Sequence, residues 1–388
     1  MARRSSVAAI FGELRRVRVG LGMLLVAAAL LSACGDAPNS GTTIADPAQL
    51  GPHPVGVTRI TLRDESRNRT LLTEIWYPAD ESARDLPPSP ASDFLPPELA
   101  VLTANATLKL IAVREAPLAP GGPFPLIAFS HGSGGIRFQN TFQMEHLASH
   151  GFVVVAPDHQ GNTFFDSSES TAQESIDRPL DIIYLLNAFS GFTADPSNRF
   201  AGWIDTAKPF GVTGHSFGAY TSFAVASDDA RIATALPMAL SGPISADYSA
   251  ATFLMLATED HTIGLTENQA IRDAYAALPG PRFLAEVIDA GHYSFSFACE
   301  TGLGIGDHDG CGTGTRLEGG APFTFLDDQR VWKLVDTYSA ALFGRYLRGI
   351  TQYEDVLTTN LDPDVERFVA DLGAPAARRP PEVGFVLP

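Results

Sequence analysis

The hydrophobic positions of the chain come in two rhythms. Residues 56–62 and 71–77 alternate apolar with polar side chains or are β-branched, and the polar run from Arg63 to Thr70 divides them. That pattern predicts an antiparallel hairpin at the edge of a sheet. Short unbroken apolar runs at 125–130, 152–156, 232–238, 252–257 and 282–288, with a further run opening at Phe210, predict buried strands. Between them lie stretches of helical period at 141–150, 173–190, 217–227, 267–277 and 327–347. Gly151 supplies a stop after the first helix, and Pro179 predicts an interruption or a start within the second. Strands alternating with helices give an α/β fold, with a mostly parallel central sheet, helices on both faces and the N-terminal antiparallel hairpin.

This pattern occupies residues 55–350. Within it, residues 79–122 are a Pro-rich insertion carrying Pro87, Pro88, Pro90, Pro96, Pro97, Pro117 and Pro120. The insertion predicts a segment laid over the sheet rather than a core element, with a short helix at 98–110. Its Phe94, Leu95, Leu99, Val101 and Leu102 read as a packed crossover, with an acyl pocket or a lipid-facing surface as the alternative. Residues 351–388 become richer in Pro and Ala and predict a tail that wraps or frays. No internal repeat is evident.

The stretch Phe210-Gly211-Val212-Thr213-Gly214-His215-Ser216-Phe217-Gly218 is a strand, a G-x-S-x-G turn and a helix start in that order. This is the context of a nucleophile elbow, in which a tight turn holds a serine at its tip. The following helix aims positive partial charge at the place where an oxyanion would form. A Gly-rich turn whose serine merely caps the helix is the bland alternative.

A serine hydroxyl needs a base, and the base needs an orienting acid. In an elbow fold these follow along the chain in the order Ser, acid, His. His292 sits just after the strand at 282–288, on a loop where such sheets gather reacting groups, and is the candidate base. The strand at 252–257 runs into Thr258-Glu259-Asp260-His261, and Asp260 is the candidate acid with Glu259 as its rival. The oxyanion donors are the backbone N–H of Phe217 and, from the loop His131-Gly132-Ser133-Gly134-Gly135, that of Ser133. The glycines there do not imply phosphate binding, because neither a P-loop Lys-Ser/Thr nor G-x-G-x-x-G is present.

The amino terminus changes the picture of where the chain works. Arg3, Arg4, Arg15, Arg16 and Arg18 precede an apolar run from Val19 to Ala33 that is too short for a secure spanning helix. It ends in Leu31-Ser32-Ala33-Cys34, which resembles a bacterial lipobox. The resemblance implies a signal peptide at 1–33, a lipidated Cys34, export, and membrane anchoring on the periplasmic or cell-surface face; an ordinary cleavage site or uncleaved anchor is the alternative. Residues 34–54 then read as a flexible spacer. Cys299 and Cys311 form an even pair in an exported chain and are expected as a disulfide, against two free thiols or a weak metal site. The intervening Gly- and Asp-rich run lacks the ligand spacing of a calcium loop. The net charge of −17, despite the basic leader, argues against nucleic acid or anionic head groups as principal partners.

Three separated runs carry a family resemblance: Phe129-Ser130-His131-Gly132-Ser133-Gly134-Gly135, His146-Leu147-Ala148-Ser149-His150-Gly151-Phe152-Val153-Val154 and Gly214-His215-Ser216-Phe217-Gly218. Trp76-Tyr77-Pro78 and Arg178-Pro179-x-Asp181-Ile182 add to it. Together they resemble the platelet-activating factor acetylhydrolase family of the α/β-hydrolase superfamily. The resemblance implies an α/β-hydrolase fold with Ser216 as nucleophile, Asp260 and His292 as acid and base, and Ser133 and Phe217 as oxyanion amides. It also implies hydrolysis of short or oxidised acyl esters, a small-molecule or lipid substrate, and neither metal nor cofactor. The 79–122 insertion and the 299–311 loop do not match the family. Dienelactone-hydrolase-like esterases and cutinase-type polyesterases share the scaffold, although the latter commonly carry Met where this chain has Phe217. A non-catalytic binding lipoprotein and an acyltransferase are the remaining alternatives.

Overall fold

The computed structural model describes residues 44–244 and 248–373; the leader, Cys34 and the first part of the expected spacer lie outside them. The chain opens with β1 (Val55–Asp64) and β2 (Arg69–Pro78), then β3 (Val113–Arg114), β4 (Leu126–Ser130), α1 (Thr141–Ser149), β5 (Val153–Pro157) and α2 (Thr171–Ala194). The second half runs β6 (Phe210–His215), α3 (Phe217–Asp228), β7 (Ile232–Met238), β8 (Ala251–Ala257), α4 (Gly264–Ala276) and β9 (Arg282–Val287). A small ribbon of β10 (Thr313–Thr315) and β11 (Pro322–Thr324) precedes α5 (Asp328–Leu347), α6 (Glu354–Thr358) and β12 (Val365–Asp371).

Ten strands form one sheet in the order β12-β9-β8-β7-β6-β4-β5-β2-β1-β3. The block β9-β8-β7-β6-β4-β5 is parallel, whereas β2 on β5, β1 on β2 and β12 on β9 are antiparallel. Alternation within the strands sorts the core. Ile127, Phe129, Val154 and Ala156 join Met144 and Leu147 of α1 and Val335 and Leu342 of α5 on one face. Leu126, Ala128, Val153 and Val155 meet Leu185 and Phe189 of α2, Phe223 of α3 and Tyr275 of α4 on the other. Both faces being covered explains why the parallel strands read as unbroken apolar runs. This is the α/β-hydrolase architecture, and it brings the C-terminal ends of β4, β6, β8 and β9 to one edge.

Four features differ from the sequence expectations. The Pro-rich insertion carries short 3₁₀ segments, the longest at Pro97–Thr103, and the strand β3 in place of the helix expected at 98–110. It also enters the core: Phe94 is buried against Trp76 and Phe138, with ring centroids 6.0 and 5.3 Å away. A buried phenylalanine contributes about 2 kcal/mol or more, so this crossover helps hold the sheet edge. Pro179 does not interrupt α2, which continues through it. The buried Arg178 and Asp181 on either side anchor that turn by charge-assisted bonds, offsetting the cost of about 3 kcal/mol for an interior proline.

The tail does not simply fray: β12 pairs with β9, from Val365↔Val287 to Asp371↔Arg282. Nor is the spacer free from Ala45 onward. His146 and His150 donate through Nε2 to the carbonyls of Pro47 and Gln49 at 2.9 and 2.8 Å, and the Tyr353 hydroxyl donates to Ala45 O at 2.6 Å.

Candidate active site

Ser216 sits at the tip between β6 and α3 with φ 56° and ψ −120°, a conformation that costs a non-glycine residue strain. Its N–H donates to Met238 O at 2.9 Å, which ties the turn to β7. Gly214 and Gly218 are demanded by space: a Cβ on Gly214 would overlap Gly218 O, and one on Gly218 would overlap Ser130 O. The candidate oxyanion loop, His131 to Gly135, lies against the serine, since a Cβ on Gly132 would stand 3.4 Å from Ser216 Cβ. Among the described residues, neither the Ser133 nor the Phe217 N–H has a protein acceptor. Both donors remain available to a ligand.

Asp260 lies in the turn after β8 and His292 in the loop after β9. His292 Nδ1–H donates to Asp260 Oδ2 at 2.9 Å, and Asp260 Oδ1 accepts from Ile263 N at 2.8 Å. Both residues are buried. Glu259, the rival acid, is turned away and accepts from Arg316 Nη1 at 3.0 Å and Leu317 N at 2.8 Å.

His215, inside the elbow motif, connects the two halves. Its Nε2 lies 2.9 Å from His292 O, and a carbonyl can only accept, so Nε2 carries the proton. Nδ1 therefore accepts from Gln139 Nε2 at 2.9 Å, while Gln139 Oε1 accepts from Gly132 N at 3.1 Å. One chain of bonds thus runs from the oxyanion loop through Gln139 and His215 to the backbone of His292. Burial, with His292 beside it, pushes the His215 pKa down to about 3, so this link stays neutral.

Beneath the oxyanion loop lies a second layer. Arg178 is wholly buried and donates to Ser130 Oγ at 3.0 Å, to His131 O, and to Asn162 Oδ1 at 2.9 Å. Its guanidinium also lies over the Phe217 ring, 5.0 Å from the centroid. Asn162 in turn holds the loop by donating to Ser133 Oγ at 3.2 Å and accepting from Gly134 N at 3.3 Å. Among the described residues no carboxylate lies within ion-pair distance of Arg178, and burial pushes its pKa down to about 9.

Ser130, His159 and Asp181 repeat the Ser-His-Asp order of bonds. His159 Nδ1 donates to Asp181 at 3.0 Å, and Ser130 Oγ lies 3.0 Å from His159 Nε2. Burial opposes ionisation of Asp181, but hydrogen bonds from His159 and Arg69 hold its pKa down at about 2. With exposures of 2%, 0% and 0%, this set is sealed from substrate and serves as scaffold.

Cys299 and Cys311 are joined as a disulfide, and the loop it closes carries Asp309. Sequence reasoning missed Asp309, Asn162 and Gln139 and assigned no role to Arg178 or His215. Arg178 and His215 lay within the sequence motifs; Asp309, Asn162 and Gln139 belonged to no motif, and each makes at least one bond to a segment distant in the chain.

With this geometry in view, the class of the molecule is that of the α/β-hydrolase fold. A ferulic acid esterase from Streptomyces cinnamoneus superposes with a TM-score of 0.59 at 23% identity, covering 84% of this chain and 95% of that one. Residues 39–182 match the family described as platelet-activating factor acetylhydrolase, isoform II. A platelet-activating factor acetylhydrolase from Cavia porcellus is 34% identical over 131 residues, which make up 31% of this chain and 29% of that protein. The match thus spans less than a third of that relative's length. Over residues 39–182 the chain is thus similar to the platelet-activating factor acetylhydrolase family.

Proposed function

We propose that this chain is a carboxylic ester hydrolase that works through an acyl-enzyme on Ser216. The observation that carries the reading is the His292–Asp260 hydrogen bond of 2.9 Å, made by turns at the same sheet edge as the strained Ser216 tip. In this reading Ser216 Oγ attacks the acyl carbonyl carbon while His292 Nε2 takes the hydroxyl proton. Asp260 keeps the imidazole in the tautomer that leaves Nε2 free. The carbonyl oxygen, now an oxyanion, is met by the N–H groups of Ser133 and Phe217. As the tetrahedral adduct collapses, the C–O bond to the leaving alcohol breaks and His292 returns its proton to that oxygen. Water, deprotonated by His292, then cleaves the acyl-enzyme, and the proton ends on Ser216.

The names of the relatives support a substrate of the platelet-activating factor type, and the reading taken here is short or oxidised acyl esters. The family match ends at residue 182, ahead of Ser216, Asp260 and His292. Simple carboxyl esters are for that reason the second reading. The test compares p-nitrophenyl acetate, butyrate and octanoate with a short-acyl phosphatidylcholine, each with and without chelator, on the native protein and Ser216→Ala. Serine-dependent, chelator-resistant cleavage of the phosphatidylcholine is expected. Cleavage of the simple esters alone selects the second reading, and no cleavage by folded protein overturns both. The leader is read as a lipoprotein signal; Cys34→Ala should then release the protein from the membrane fraction.

A further inference from the structure

The two turns that present the acid and the base are separate loops, Asp260 and His292 being 32 residues apart in sequence. A third loop ties them together. Asp309 Oδ1 accepts from the backbone N–H of His292 and from that of His261, both at 2.9 Å. Oδ2 accepts from the Thr262 hydroxyl at 2.7 Å. Its own carbonyl accepts from Tyr293 N at 2.9 Å. Among the described residues, every hydrogen bond of this side chain goes to the turn that carries Asp260 or to His292 itself. The carboxylate is largely buried at 9% exposure, so water competes weakly for these donors. The loop that delivers it is closed by Cys299–Cys311 and folded on itself by Asp309 N and Cys311 N, which donate to Gly306 O at 3.2 and 3.0 Å. The approach is tight, since a Cβ on Gly291 would fall within 3 Å of the Asp309 and Gly310 backbone.

We propose that Asp309 is a positioning residue that sets the separation and angle between Asp260 and His292. It acts by bracketing their two turns with one carboxylate. The proposal rests on the hydrolase reading of Ser216, Asp260 and His292. A charged acceptor shared by two amides and a hydroxyl is stiffer than any neutral substitute. Small misplacement of a base costs rate steeply while substrate contacts elsewhere persist.

The experiment measures kcat and KM for p-nitrophenyl butyrate with the native protein, Ser216→Ala, Asp309→Asn and Asp309→Ala, together with melting temperatures. Asp309→Ala is expected to lower kcat by about 10- to 100-fold with KM within about threefold of native, as for a displaced catalytic group. Asp309→Asn keeps one acceptor oxygen without the charge and is expected to fall between, at about 3- to 10-fold. A kcat for Asp309→Asn within twofold of native overturns the proposal, whether or not Asp309→Ala folds. Equal rises in KM with unchanged kcat overturn it as well, because the residue would then act on substrate binding. If the native protein is inactive, or Ser216→Ala matches it, the hydrolase reading has failed instead, and the two failures are told apart by that control.

Discussion

The Ser216 half and the His292 half of the candidate site are built differently. Ser216 and Phe217 sit where β6 meets α3, and their surroundings are sheet, helix and the buried Arg178–Asn162–Ser130–His159–Asp181 layer. Asp260 and His292 sit on turns beyond strand ends, braced by Asp309 and a disulfide-closed loop. The first half derives its geometry from backbone shape: a strained φ, two glycines with no room for a side chain, and the helix N-terminus. The second derives it from side-chain bonds between segments distant in sequence. Backbone-shaped geometry shows as a motif, whereas bracketed geometry can be assembled from any residue that reaches.

Experiments can press on this contrast from the largest effect down. Ser216→Ala should cut kcat on the order of 10⁴–10⁶, as comparable triads do, and steady-state kinetics on p-nitrophenyl butyrate will read it. Arg178→Met should cost about 10- to 100-fold in kcat, somewhat less than removing an oxyanion donor outright, because both amides stay but lose their backing. A kcat close to native would reduce the buried layer to packing. Arg178→Lys keeps the charge but not the fork to His131, Ser130 and Asn162, so it should recover only part of the loss. Opening Cys299–Cys311 with Ser at both positions should lower stability by about 3 kcal/mol, by the entropy of a loop of this size. It should also reduce kcat less than Asp309→Ala does, because Asp309 retains its own bonds; a larger reduction would move the bracket from the carboxylate to the disulfide.

The last effect concerns protons and leaves kcat at neutral pH aside. His215 is held neutral in the folded chain with its pKa at about 3, against 6.5 in the unfolded one. Its folded pKa is depressed, so its contribution is intact above 6.5 and lost as pH falls from there toward 3. Compared with His215→Asn, native stability should therefore decline by about 1.4 kcal/mol per pH unit within that window. Denaturant unfolding at pH 7, 6, 5 and 4 will measure the difference. A pH-independent difference would mean that the imidazole takes up a proton without unfolding.

Sequence pattern alone carried the strand and helix order, the strand-turn-helix around Ser216 and the Cys299–Cys311 pairing. All of these depend on residues within a few positions of one another, on periodicity, or on counting. Pattern left the acid open between Asp260 and Glu259, because neighbouring carboxylates on one turn look alike until a fold points one at His292 and the other at Arg316. It read Phe94 as part of a packed crossover without saying what it packs on, and it left residues 365–371 without a partner, because neither a lone aromatic among prolines nor an edge strand shows which surface will cover it. Asp309, Asn162 and Gln139 acquired their roles only through folding. The bonds from Gln139 to His215, Asn162 to Ser133 and Asp309 to His292 span 76, 29 and 17 positions of chain, and contacts of that range are set by how the sheet and its loops close in space.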